Sequence, residues 1–170
     1  MTSDIESILG PPPVLVTIHG EGQLEALHPH KNPPGRCIDL IDIHVQETAV
    51  DSRLLFTQET PVEEILYSHI LRTYCPITHQ PDWASVIVAY KGQKITEESL
   101  LRYLCSYRNH EGFAEQCCER IYADIITRCA PARLMVSCLY TRRGGIDINP
   151  VRANYEISPY ESKPGRLSRQ

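Results

Sequence analysis

The sequence predicts an α+β fold: an antiparallel sheet with two adjacent helices packed on one face. Three observations predict it. Alternating and β-rich apolar runs lie towards both ends of the 170-residue chain. Two segments with helical spacing follow one another directly in its middle. No long βαβ alternation, and no internal repeat, argues for a parallel or solenoid design.

The elements follow in order. In "VLVTIHG" (Val14 to Gly20), Val14, Val16 and Ile18 share one face, as in a half-buried strand. A polar loop rich in proline and glycine follows, containing "HPH" (His28 to His30). A proline at its centre makes it a poor metal clamp, and no metal is expected. "RCIDLIDIHV" (Arg36 to Val45) reads as a second strand, and Gln46 to Pro61 carries little pattern. "VEEILYSHILRTY" (Val62 to Tyr74) fits a short helix nearly as well as a strand. "ASVIVAY" (Ala84 to Tyr90) is β-rich, with "KGQK" (Lys91 to Lys94) as a turn after it.

The helix pair comes next. "TEESLLRYLCSYRN" opens at Thr96 with Glu97 and Glu98 in the first turn, favourable to the helix dipole. Leu100, Leu101, Leu104 and Tyr107 form its apolar stripe. "HEG" interrupts. "FAEQCCERIYADIITRCA" then repeats Phe113, Cys117, Ile121 and Ile125 every fourth position, and Pro131 ends it. "RLMVSCLYT" (Arg133 to Thr141) and "GIDINP" (Gly145 to Pro150) read as two strands joined at Arg142-Arg143-Gly144-Gly145. Residues 1–154 are expected to form a single module, and residues 155–170 a polar, poorly ordered tail.

Composition narrows the function classes. The chain is 42% hydrophobic and 22% charged with a net charge of -4, so direct nucleic-acid binding is not expected. No apolar run approaches the roughly 18 residues of a membrane span. Two acids precede the first apolar run and no positive n-region is present, so a cytoplasmic protein is expected, with no membrane partner. The cysteine count is seven, an odd number, which argues against a disulfide framework. Cys117 and Cys118 point about 100° apart on a helix and do not make a zinc pair.

"YCPITHQPDW" (Tyr74 to Trp83) is the segment most suggestive of chemistry. Two prolines stiffen it between ordinary elements, and rigid loops are where reacting groups tend to sit. From the residues alone, Cys75 reads first as a small core thiol and Asp82 as a turn-former. Three stretches together, "CPITHQPDW", "RYLCSYRNHEGFAEQCCERI" and "YTRRGGIDINP", resemble the NADPH-dependent 7-cyano-7-deazaguanine reductases of queuosine biosynthesis. The resemblance runs from about Val14 to about Asn154 and is closest to the carboxy-terminal half of the long, two-module form.

That resemblance implies the tunnelling fold (T-fold), a small-molecule deazapurine nitrile as substrate and NADPH as cofactor. It also implies a homo-oligomer, or pairing with an amino-terminal module that this chain lacks. Cys75 matches the nucleophile that forms a covalent thioimide, and Asp82 the acid that protonates the nitrogen. Phe113, Ala114 and Glu115 match the substrate-holding Phe-His-Glu run, with alanine standing where the family has histidine. His110 is a candidate substitute. Arg143 and Gly144 match a pair that contacts NADPH, although Arg-Arg-Gly-Gly also suits a plain hairpin with solvated arginines. The family's cofactor signature, Glu-Ser-Lys-Ser-x-Lys-x-Tyr, aligns with "TEESLLRY" (Thr96 to Tyr103), in which Ser99 and Tyr103 are retained and both lysines are replaced. Two functions therefore stand beside each other: a nitrile reductase, and a truncated or inactive half-module with a structural or assembly role. A cysteine hydrolase using Cys75 with His79 or His110 is more distant, since no oxyanion-hole signature accompanies them.

Overall fold

The computed structural model describes residues 2–11, 13–18, 32–157 and 166–170. The order is α1 (Thr2–Leu9), β1 (Arg36–Cys37), β2 (Thr57–Tyr74), β3 (Pro81–Ile95), α2 (Glu97–Cys105), α3 (Ala114–Cys129), β4 (Arg133–Tyr140) and β5 (Val151–Ala153). Single 3-10 turns occupy Ser52–Leu54 and Ser106–Asn109. The five strands form one sheet in chain order, antiparallel throughout except for the short parallel β1–β2 pair.

β2 and β3 are the long members. Val62 to Tyr74, which fits either element by its sequence, is strand, because its apolar residues pair across β3 (Leu66 with Val88, Tyr67 with Ile87). A bulge interrupts the ladder between Ser68 and Leu71, where His69 and Ile70 together face Ser85. Side chains alternate faces, so one extra residue shifts the parity of the strand beyond it and puts Leu71, not Ile70, on the face of Leu66. Leu71 and Thr73 thereby share a face with Ala84 and Asp82, their partners on β3.

That face is the one the helices cover. Leu66, Leu71, Val86, Val88, Leu134, Val136 and Cys138 of the sheet pack against Leu100, Leu101 and Leu104 of α2 and Cys117, Ile121 and Ile125 of α3. The periodicity of both helices therefore marks a core stripe, as the sequence predicts, except that Phe113 remains 47% exposed. The opposite face holds a second, smaller cluster of Tyr67, Ile87, Leu139 and Leu167. Leu167 belongs to the segment expected to be a disordered tail, yet it is buried there, and Gln170 Nε2 donates to Tyr140 O (3.2 Å) and Asn149 Oδ1 (2.7 Å).

Several expected elements differ. Val14 to Ile18 is not a strand: Leu15 and Ile18 are exposed, and among the described residues no strand pairs with them. The helix α1, which the sequence reading does not anticipate, precedes it with no buried side chain. Only Arg36 and Cys37 of the second expected strand join the sheet; Ile38 turns into the main core and the rest is irregular. Lys91 to Lys94 is no turn but the end of β3, where Gly92 pairs with Val62. Gly145 to Pro150 forms no ladder of its own, although Ile148 O and Pro150 O accept hydrogen bonds from Tyr140 and Cys138. Thr96 starts α2 without capping it; the Ser99 hydroxyl instead donates to Thr96 O (2.8 Å). His28 to His30 lie outside the described residues.

Candidate active site

The loop carrying Cys75 is the hairpin connection between β2 and β3. Tyr74 pairs with Pro81 and Thr73 with Asp82, so the register brings the two ends of "CPITHQPD" together. Pro81 can open β3 because a strand's first residue tolerates a missing donor. Inside the loop, His79 N–H donates to Cys75 O (2.9 Å) and Cys75 N–H to Gln80 O (3.0 Å). His79 adopts a left-handed conformation, φ 54°, uncommon for a residue with a Cβ and found at functional turns.

A second segment is stitched to the end of β2. Tyr74 N–H donates to His110 O (2.9 Å) and Gly112 N–H to Tyr74 O (3.1 Å), which adds residues 110–112 to the sheet edge beside the loop. α3 starts immediately afterwards, and Gln116 Oε1 accepts from Phe113 N–H at its head. The first turn of α3 is thus held next to Cys75. The third contribution is the turn after β4: Arg143 N–H donates to Ile146 O and Ile146 N–H to Arg143 O, both 3.0 Å, around Gly144 and Gly145 at positive φ.

These three pieces enclose a cavity of about 300 Å³. Its lining includes Cys75, Asp82, Phe113, Ala114, Glu115 and Arg143, so the structure brings together six of the seven candidate residues. Gly144 is exposed on the turn beyond the lining, where an added Cβ would meet nothing within 4 Å. His79 and His110 do not line the cavity. His79 Nδ1 faces Glu111 Oε1 at 3.2 Å, and His110 packs edge-on against Tyr107.

The electrostatics favour a reactive sulfur. Cys75 is half-buried, and hydrogen bonds from the Thr78 hydroxyl, the Thr78 N–H and the Ile77 N–H draw its thiol pKa below the ordinary value, against a smaller opposing effect of Asp82. The thiolate is the nucleophilic form. By contrast burial pushes the core thiols Cys117 and Cys129 up to about 11. Arg143 Nη2 lies 2.7 Å from Asp82 Oδ1 as an ion pair, while Arg143 Nη1 donates to Thr78 Oγ1 (3.1 Å) and Nη2 to Pro81 O (3.4 Å).

Sequence reasoning missed the other lining residues, Pro76, Gly112, Tyr140, Thr141, Ile146 and Ile148. All six stand inside the three quoted motifs; the signal available was the motif as a whole. Tyr140 borders the cavity from the core. Its hydroxyl and that of Thr73 are buried neighbours, close enough to interact electrostatically but not aligned as a hydrogen bond. Burial pushes the Tyr140 phenol well above its usual range.

The cofactor positions divide. Arg143 and the open backbone at Gly144 fit a phosphate-bearing group: a planar guanidinium beside a turn with no side chain in the way. The head of α2 does not. Glu97 is paired with Arg36 (2.5 Å), Ser99 is buried against Thr96 and Phe56, and the Tyr103 hydroxyl donates to Asp124 Oδ2 (2.6 Å) within the core. Both retained signature residues are thus engaged in packing. Among the described residues no cluster suits a metal ion, and no helix is long and apolar enough to cross a membrane.

Residues 81–159 match the family model described as QueF-like protein. The chain is 50% identical over 131 residues to the NADPH-dependent 7-cyano-7-deazaguanine reductase of Saccharophagus degradans, covering 77% of this chain and 49% of that protein. It is 49% identical over 126 residues to the reductase of the same name from Hydrogenovibrio crunogenus, covering 74% and 46%. The chain thus spans about half the length of these curated relatives. The crystal structure of the archaeosine synthase QueF-Like in the apo form shares the fold, with a TM-score of 0.52 and 18% identity over 59% of this chain and 99% of that one.

Proposed function

We propose that this chain, a relative of the NADPH-dependent 7-cyano-7-deazaguanine reductases, reduces the nitrile of 7-cyano-7-deazaguanine to the aminomethyl group of 7-aminomethyl-7-deazaguanine in cytoplasmic queuosine biosynthesis. The observation that carries the reading is a thiol of lowered pKa sharing one cavity with Asp82 and the first turn of α3. A nitrile carbon needs a soft nucleophile, and splitting the reaction through a covalent intermediate lowers each barrier.

Each residue then has a task. The Cys75 sulfur bonds to the nitrile carbon as one π bond of the triple bond opens. Asp82 delivers a proton to the nitrogen, leaving a neutral thioimide. Phe113, half-exposed at the cavity edge, packs on the deazapurine ring, and Glu115 accepts hydrogen bonds from its edge. Ala114 leaves that position without an imidazole, so proton management falls to Asp82 and solvent. The cavity, at the low end of the ~300–1,000 Å³ of ligand pockets, suits one flat bicyclic ring and not a dinucleotide as well. NADPH, when bound, supplies the hydride, with Arg143 and Gly144 holding its near end. Because Glu97 and Glu98 occupy the head of α2, the remaining cationic contacts come from a second copy or a further module. Residues 1–154 act here as one catalytic module.

The test is direct. Incubated with 7-cyano-7-deazaguanine, the protein should gain the mass of the substrate and develop a thioimide absorption band, and Cys75→Ala should do neither. An adduct formed equally on Cys75→Ala would overturn the assignment of the nucleophile. A second reading, a half-module with an assembly role, is favoured by Ala114 and by the acidic head of α2. It predicts no nitrile-dependent NADPH oxidation at any protein concentration, and oligomers by light scattering.

A further inference from the structure

We propose that Gln170, assisted by Arg166, is a positioning residue for the substrate cavity: the two side chains hold the chain segment 145–150 from behind, so that Ile146 and Ile148 stand as the cavity's apolar wall. The inference rests on the reading of this cavity as the site of a flat bicyclic ring, and deepens it by naming what fixes the wall beside that ring.

The segment after β4 has two faces. Ile146 and Ile148 line the cavity. The alternate residues, Asp147 and Asn149, meet residues 166–170 instead: Arg166 Nε lies 3.5 Å from Asp147 Oδ2, and Gln170 Nε2 donates to Asn149 Oδ1 at 2.7 Å. This is the alternation of extended chain, in which neighbours point to opposite sides. Gln170 Nε2 also donates to Tyr140 O at 3.2 Å, so one side-chain amide spans the end of β4 and the wall beside it. Tyr140 is anchored on its other side by the β3 ladder, opposite Ala84, and itself borders the cavity. The amide thus ties the wall to a strand held within the sheet.

The wall needs such a tie. Ile146 is 68% exposed and Ile148 44%, so burial does little to hold either in place. Neither belongs to β4 or β5, and the backbone bond from Tyr140 N–H to Ile148 O is long, 3.3 Å. Gln170 is by contrast well fixed. Its N–H donates to Leu167 O at 3.0 Å, its Oε1 accepts from Leu167 N–H at 2.9 Å, and its backbone oxygen accepts from Arg166 Nη2 at 3.2 Å. Leu167 is buried against Tyr67, Ile87 and Leu139, on the sheet face away from the helices. The amide is therefore presented to Asn149 and Tyr140 already oriented. A wall held before the ring arrives spares the cost of ordering it on binding.

Two measurements test the tie, and neither needs nitrile or cofactor. Gln170→Ala and Asn149→Ala should each speed amide hydrogen exchange at Tyr140 and Ile146 about three- to tenfold, the range spanned by one lost hydrogen bond. The β2–β3 ladder should stay protected. The double variant should add little to Gln170→Ala alone, because the two side chains share a bond. Asn149 is exposed, so its variant keeps the fold even where Gln170→Ala unsettles the terminal residues. Alkylation of Cys75, read by peptide mass spectrometry apart from the six other thiols, then compares two reagents. N-phenylmaleimide carries a flat ring, and iodoacetamide is too small to need the wall. The ratio of the two rates cancels changes at the sulfur itself, and should fall about three- to tenfold in both variants as the ring loses a pre-ordered surface. Unchanged exchange in both variants would overturn the tie. So would faster exchange with a ratio that stays level or rises, since residues 166–170 would then steady the chain without shaping the cavity. Should both shifts appear while the wild-type protein takes up no 7-cyano-7-deazaguanine, the positioning role stands and the nitrile reading fails.

Discussion

Gly112 joins the end of β2 to the α3 side of the cavity, and its replacement by alanine makes a quantitative test. Its N–H is bonded to Tyr74 O, and Phe113 follows as the N-cap of α3, with Phe113, Ala114 and Glu115 lining the cavity beside Cys75. A Cβ at this position would lie 3.1 Å from Cys117 Sγ and 3.1 Å from His110 Nε2. Non-bonded heavy atoms prefer roughly 3.5–4.0 Å, so both contacts fall short by about half an ångström. The imidazole is the far end of a side chain and can give, whereas Cys117 is fully buried in the core. Overpacking of this kind costs about 1–3 kcal/mol, offset by about 0.4–1 kcal/mol from the restricted unfolded chain, for a net loss of roughly 1–2 kcal/mol. Urea unfolding should show that loss as a lower midpoint with an unchanged slope. Adding Cys117→Ala should recover about 1 kcal/mol relative to additivity, since it removes the atom that is struck. A Gly112→Ala protein of wild-type stability, or a strictly additive double variant, would refute the packing argument.

Other outcomes follow from burial. Leu167→Ala should lower stability by about 2–4 kcal/mol, read by urea unfolding, because Leu167 is 2% exposed against Tyr67, Ile87 and Leu139; an unaffected midpoint would mean that the terminal segment does not dock in solution. Alkaline pH should destabilise the fold. Burial raises Cys117 and Cys129 from 9.0 to about 11, so their contribution is fully present below pH 9 and is lost as pH rises towards 11 and the unfolded state ionises first. Unfolding midpoints measured across that range should fall less steeply when both are replaced by alanine.

How much of this was legible in the sequence depends on how local the signal is. The helix pair is legible because Leu100, Leu101, Leu104, Cys117, Ile121 and Ile125 repeat at helical spacing and all reach the core. β4 is legible as a compact β-rich run between Pro131 and the glycine pair. Val62 to Tyr74 resists reading because the bulge at His69 and Ile70 breaks the strict alternation that would have marked a strand. Lys91 to Lys94 misleads in the other direction. Its composition is that of a turn, but Gly92 and Lys91 are held in the ladder by Val62 and Glu63. Val14 to Ile18 alternates correctly yet has no partner strand among the described residues, and an alternating run without a partner gains nothing from being extended.

The sequence by itself supplied the residue types proposed for the chemistry, namely a cysteine, an acid, an aromatic-acid pair and an arginine-glycine turn, together with the two helical stripes that reach the core. Tertiary structure alone decided that all of these but Gly144 line one cavity. The β2–β3 register places Asp82 against Thr73, the Tyr74 hydrogen bonds dock the head of α3, and a turn far along the chain delivers Arg143 to both Asp82 and Thr78. The physical reason is that helical periodicity is fixed by neighbours three and four residues away, whereas strand register and ion pairing are fixed by whatever the fold brings across.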